Sequence, residues 1–146
     1  MNTQPINVLG YTSNNQQFVV KTLSTNLKVS QNDNYLESKT PNPYEYILAG
    51  FAAYINALGI LVAQELAVQL YSLQIEITGN LNDDVLLAKS NSGFKNITIK
   101  LKPATDVPME ALQKWLEEIK SRNPTSHLLG SNAPVNLVLF KKFACN

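Results

Sequence analysis

The longest uncharged apolar run in the chain, Tyr46 to Val62, lies directly behind a strong helix-start signal. Asn42 is a good N-cap, and Pro43 suits the first helical position, where its missing N–H costs nothing. Glu45 then falls at the third helical position, from which its carboxylate reaches back to the Asn42 N–H as in a capping box. The pattern predicts a helix from Pro43 to about Leu70, with Ile47, Leu48, Phe51, Ile55, Leu58, Val62, Leu66 and Leu70 as its large apolar positions. Alanines fill much of the rest, so the helix is apolar almost all round, the mark of a helix surrounded by protein. It would run for roughly 40 Å, more than a domain of 146 residues encloses alone, so a partner subunit is expected to help cover it. The uncharged run is shorter than the roughly 20 residues that span a bilayer. It also contains Gly50, Asn56 and Gly59 and is bracketed by Glu45 and Glu65, so a buried helix rather than a membrane span is expected.

The flanking sequence favours strands. Phe18 to Leu23 and Leu27 to Val29 are rich in apolar and β-branched residues, with Ser24-Thr25-Asn26 as a turn between them. Ser72 to Leu81 alternates Leu73, Ile75 and Ile77 against Gln74, Glu76 and Thr78, and Ile97, Ile99 and Leu101 repeat the pattern against Asn96, Thr98, Lys100 and Lys102. A second helix is expected after Asp106 and Pro108, with Met109, Leu112, Leu116 and Ile119 as its stripe and Trp115 beside it. Asn123-Pro124 ends it. Val135 to Phe140 is apolar on both faces and reads as a well-buried last strand. Strands, long helix, strands, shorter helix and strand make an α+β chain, with helices packed on a mostly antiparallel sheet. Residues 1–146 form one expected domain.

Composition narrows the function. The net charge of +1 gives no pull toward nucleic acid or an anionic membrane, and Lys95, Lys100 and Lys102 lack an aromatic platform on the same face. Arg122 is the only arginine. The single cysteine, Cys145, forms no internal disulfide and no cysteine zinc site. Asp83-Asp84 reads as a solvated turn, and no metal or cofactor is expected. The polar N-terminal stretch shows no signal peptide, so a cytoplasmic protein is the expectation.

From about residue 5 to 141, the Asn42-Pro43 helix entry, the alanine-rich helix and the Asn123-Pro124 corner resemble the OsmC/Ohr family of thiol peroxidases. The resemblance implies a curved, mostly antiparallel sheet, a long central helix and a second shorter one. It also implies an intertwined homodimer, with two sites at the interface. In that family an attacking cysteine follows the helix proline by eleven residues, a second cysteine precedes a proline after the later helix, and an arginine and a glutamate organise the thiolate.

Those positions hold other chemistry here. The attacking position is Tyr54, whose phenol, with an ordinary pKa of about 10, forms no sulfenic acid. The second-cysteine position is Asn123, and the glutamate position is Tyr44, with Glu45 on another face of the helix. Residues 1–42 contain no arginine; Lys21 or Lys28 supplies charge without a planar fork. No catalytic residue is therefore expected. Tyr44, Tyr54, Asn123 and the lone His127 are expected to line what remains of the site, with Tyr54 facing Asn123. The expected function is a dimeric protein without peroxidase chemistry that binds a small apolar ligand or serves structure, with no nucleic acid or membrane partner. Two alternatives stand beside it. One is an enzyme of another class using Tyr44, Tyr54, Glu45 or His127 at the interface pocket. The other is residual hydroperoxide reduction in a stress response, through Cys145.

Overall fold

A computed structural model describes residues 3–14, 17–30, 40–81, 94–122 and 135–140. The chain packs as two compact units, Met1–Ile47 and Leu48–Asn146.

The first unit is an antiparallel meander of β1 (Leu9–Asn14), β2 (Gln17–Lys21) and β3 (Asn26–Ser30), in that spatial order. The β2–β3 turn is closed by the Thr22 N–H on the Thr25 carbonyl at 2.8 Å, and the Thr22 hydroxyl accepts the Thr25 N–H at 3.0 Å. Val19 is buried, whereas Ile6, Val8, Leu9 and Tyr11 remain exposed. The unit also holds the first turn of helix α1 (Pro43–Glu65), and the Tyr46 hydroxyl donates to the Lys28 carbonyl of β3 at 2.7 Å.

The second unit contains the rest of α1, strand β4 (Ser72–Leu81), strand β5 (Phe94–Ala104), helix α2 (Met109–Arg122) and strand β6 (Val135–Leu139). Its sheet has the order β4-β5-β6, antiparallel between β4 and β5 and parallel between β5 and β6. The alternation read from the sequence is realised in β5, where Ile97, Ile99 and Leu101 are fully buried. They share the core with Ile55 and Val62 of α1 and Leu112, Trp115 and Ile119 of α2. The architecture is α+β, as expected.

Two close approaches at glycines shape the second unit. The buried Trp115 indole N–H donates to the Gly59 carbonyl at 2.8 Å. A Cβ on Gly59 would lie 3.1 Å from the Leu73 side chain and 3.2 Å from the Trp115 ring, so an added methyl would push strand or indole back by a few tenths of an ångström. At Gly79 the Phe94 ring covers the bare backbone, and a Cβ there would sit 2.5 Å from it.

Three readings are corrected. Helix α1 stops at Glu65 rather than near Leu70, because the chain reverses through Ala67 at φ 54°. The Val68 N–H bonds the Ala63 carbonyl at 2.8 Å and the Ala67 N–H bonds the Gln64 carbonyl at 3.3 Å, a Schellman closure. Met109 is exposed, and the fully buried Trp115 takes the place expected of it in the α2 stripe. Strand β6 is half-buried rather than enclosed, since it pairs only with β5 among the described strands and leaves Val138 and Phe140 exposed. The described residues cover helix α1 only in part, as its length led us to expect. Its buried residues are Phe51, Ile55, Leu58, Gly59, Val62 and Ala63, while Ile47, Tyr54, Ile60 and Leu61 face outward. By length and composition this 23-residue helix is apolar enough to cross a membrane, with a mean hydropathy of 1.9 and 28% of the window buried.

Candidate functional site

The start of α1 is built as its sequence dictates. The Asn42 side-chain oxygen accepts the Glu45 N–H at 2.8 Å, and the Glu45 carboxylate accepts the Asn42 N–H at 3.0 Å. This reciprocal pair is the capping box, and it engages the Glu45 carboxylate in holding the helix end. Tyr44, in the first turn, is half-buried.

Tyr54 lies three turns further on. It flanks the buried residues Phe51, Ile55 and Leu58 and is 42% exposed. Ile47 and Leu61, one heptad away on either side, share its stripe, since a helix drifts only about 20° per seven residues. The phenol is thus held at the rim of the core, its ring beside apolar neighbours and its hydroxyl within reach of the outside. Asn123, His127 and Cys145 lie outside the described residues, and with them the expected juxtaposition of Tyr54 and Asn123.

The only arginine does appear, at the end of α2. Arg122 donates to Glu65 at 2.6 Å and to Glu118 at 2.8 Å. The Arg122 hydrogen bond, outweighing desolvation, holds the Glu65 carboxyl below its usual value. Glu65 lies eleven residues beyond Tyr54, about 16 Å along the helix. The family resemblance puts an arginine in the N-terminal region, whereas Arg122 ties the end of α2 to the last turn of α1. Among the described residues, no group of three or more His, Cys, Asp or Glu side chains could hold a metal ion.

Among the described residues, two clefts open on the second unit. One, of about 310 Å³, lies between the C-terminal half of α1 and the start of β4, with Asn56, Ile60, Gln64, Tyr71 and Leu73 in its lining. The other, of about 510 Å³, is bounded by Leu66, Val68, Pro108, Glu110, Ala111 and Lys114. Neither is lined by Tyr44 or Tyr54. Beside the first, the Tyr71 hydroxyl donates to the Asp106 carboxylate at 2.7 Å, and that bond holds the phenol above its usual pKa. The sequence offered one signal for this cleft, two amides (Asn56 and Gln64) spaced by eight residues in an otherwise apolar helix face.

The family model for OsmC-like protein matches residues 36–138. The OsmC-like protein from Mycoplasma pneumoniae has the same fold, with a TM-score of 0.81 at 13% identity over 94% of this chain and 97% of that one. An organic hydroperoxide resistance protein OsmC from Legionella pneumophila gives 0.70 at 18% identity, covering 94% of this chain and 98% of that one. The organic hydroperoxide resistance protein OhrB of Bacillus subtilis gives 0.66 at 16% identity, with the same coverage. No curated protein matches the chain by sequence.

Proposed function

This chain belongs to the OsmC-like protein family, and on that premise we propose that it has left thiol-peroxidase chemistry and acts as a homodimer holding a small apolar or amphipathic molecule. The observation that carries the reading is Tyr54. It stands eleven residues beyond the helix proline, on a helix whose capping box is intact. A phenol there has no route to sulfenic acid, and an amide at Asn123 has none to a disulfide. Engagement of Glu45 in the cap weakens the alternative of an acid–base enzyme at this position.

The outward face of α1 supports a second copy as partner. Ile47, Tyr54 and Leu61 are each 40–48% exposed on one stripe, and apolar exposure of this kind is typical of interaction surfaces. Ala49, Ala53 and Ala57 lie exposed among them at intervals of four, small enough to let two helices approach closely. Pairing along this face would turn the rim around Tyr54 into an enclosed cavity, without nucleic acid or membrane, in a cytoplasmic protein.

The test is consumption of cumene hydroperoxide by the reduced protein with excess dithiol, beside Cys145→Ser. Both should match the protein-free rate. Thiol-dependent turnover well above that of Cys145→Ser refutes the reading and assigns the chemistry to the tail thiol. Native mass spectrometry of the purified protein should give the mass of a dimer with a retained small molecule. A bare monomer refutes the dimeric, ligand-holding part.

A further inference from the structure

The cleft between α1 and β4 has the size, lining and charge of a small-molecule site, and it is not the Tyr54 rim. On a helix of about 100° per residue, Asn56, Ile60 and Gln64 share one face, turned well away from Tyr54. The helix presents this face to the chain that returns from Ala67 into β4, where Leu70, Tyr71 and Leu73 form the opposite wall. The volume of about 310 Å³ equals about ten water volumes and falls at the small end of ligand pockets.

Three features define what fits. The walls are apolar: Ala63 and Val68 are buried beneath the cleft, Leu70 and Leu73 are half-buried, and Ile60 stands 45% exposed at the rim. No charged side chain lines it, and the Asp106 carboxylate beside it already accepts the Tyr71 O–H, so the walls themselves offer an entering ion no counter-charge. The polar groups are also unevenly used. The Tyr71 O–H is already donated to Asp106, which leaves the phenol oxygen able only to accept from a ligand. Among the described residues, the side-chain amides of half-buried Asn56 and exposed Gln64 have no hydrogen-bond partner, and an amide both donates and accepts.

We propose that this cleft binds an uncharged molecule with an apolar body and one hydroxyl group, of the size of phenol or a medium-chain alcohol. The apolar body lies between Ile60 and Leu73, and the hydroxyl donates to the Tyr71 oxygen or pairs with the Asn56 amide. The site is independent of the reading of Tyr54: a hydroperoxide assay that overturned that reading would leave it standing.

The test is titration of the full-length protein with 1-hexanol, followed by NMR of the Asn and Gln side-chain amides, beside hexanoate and hexylammonium. Saturable shifts of the Asn56 and Gln64 amide protons are expected at low-millimolar hexanol, with both ions binding at least about tenfold more weakly. Asn56→Leu keeps the bulk and removes the amide, and should weaken hexanol about tenfold, the usual worth of one hydrogen bond. Ile60→Trp changes an exposed residue and fills the cleft, and should abolish the shifts. If Asn56→Leu does not fold, Gln64→Leu at an exposed position should produce a smaller weakening. The proposal is overturned by hexanol shifts that never saturate, by equal binding of the ions, or by binding that survives Ile60→Trp. A structure of the assembled protein with a partner side chain seated between Ile60 and Leu73 overturns it too.

Discussion

Replacing Ala67 by glycine should stabilise the protein, although it removes a methyl group and touches no ligand site. Ala67 is the only non-glycine residue with positive φ among the described residues, at 54°. It occupies the position after the last helical turn at which the Val68 N–H closes onto the Ala63 carbonyl. An L-residue with a Cβ in this left-handed conformation costs about 1–2 kcal/mol relative to its preferred basins. Glycine removes that cost, but its freer unfolded chain takes back about 0.4–1 kcal/mol. Ala67 lies beyond α1, so no helix propensity is lost. The net expectation is a gain of about 0.5–1 kcal/mol, or about 2–3 °C in Tm for a chain of this length.

The assay is urea unfolding followed by circular dichroism, at one fixed protein concentration because an assembling protein unfolds by mass action. Ala67→Gly should raise the midpoint without changing the slope. Ala67→Val places a β-branched side chain at positive φ and should lower the midpoint by the equivalent of at least about 1 kcal/mol. If glycine lowers the midpoint, or valine matches alanine, the helix does not end in a left-handed turn at Ala67, and the account of why α1 stops at Glu65 fails.

The other expectations follow from contacts of the same kind. Asn42→Ala removes one half of the capping box and should cost about 1 kcal/mol in the same unfolding assay. Trp115→Phe deletes the donor to the Gly59 carbonyl and part of a fully buried ring, for a loss of roughly 2 kcal/mol from one hydrogen bond and the void left behind. Acid should weaken the fold through two carboxyls: hydrogen bonds from Arg122 and Lys102 hold Glu65 and Glu76 below the ordinary 4.5. Their contribution is full above about pH 4.5 and is lost as pH falls through the depressed folded values. Urea midpoints from pH 6 to pH 3 should fall less steeply in Glu65→Gln/Glu76→Gln, and less steeply for the parent protein in 1 M salt.

Elements whose signal is local were legible in the sequence. The capping box needs only Asn42, Pro43 and Glu45, and it formed as read. Strand β4 needs only its period of two, and its bounds, Ser72–Leu81, are those the alternation gave. The end of α1 was not legible, because no glycine or proline marks it; it depends on Val68 turning back into the core, a tertiary gain that a residue pattern does not carry. Trp115 looked peripheral to the α2 stripe because its role depends on Gly59 of another helix, 56 positions away. The site was legible only as substitutions. Tyr54 could be placed on α1, but whether it faced core or solvent depended on how β4 and α2 divide the helix between them.

That division leaves part of α1 outside the core. The buried arc of α1, from Phe51 to Ala63, carries the core contacts, and Gly59 sits where indole and strand press closest. The cap at Asn42 and Glu45 sets where the helix begins. Tyr54 belongs to neither set: at 42% exposure its ring extends outward from the rim, so a phenol there displaces no core side chain. Folding therefore constrains one face of the helix and leaves the chemistry of the rim free to change. A fold shared at 13–18% identity reports the constrained face alone, and activity has to be read residue by residue from the other.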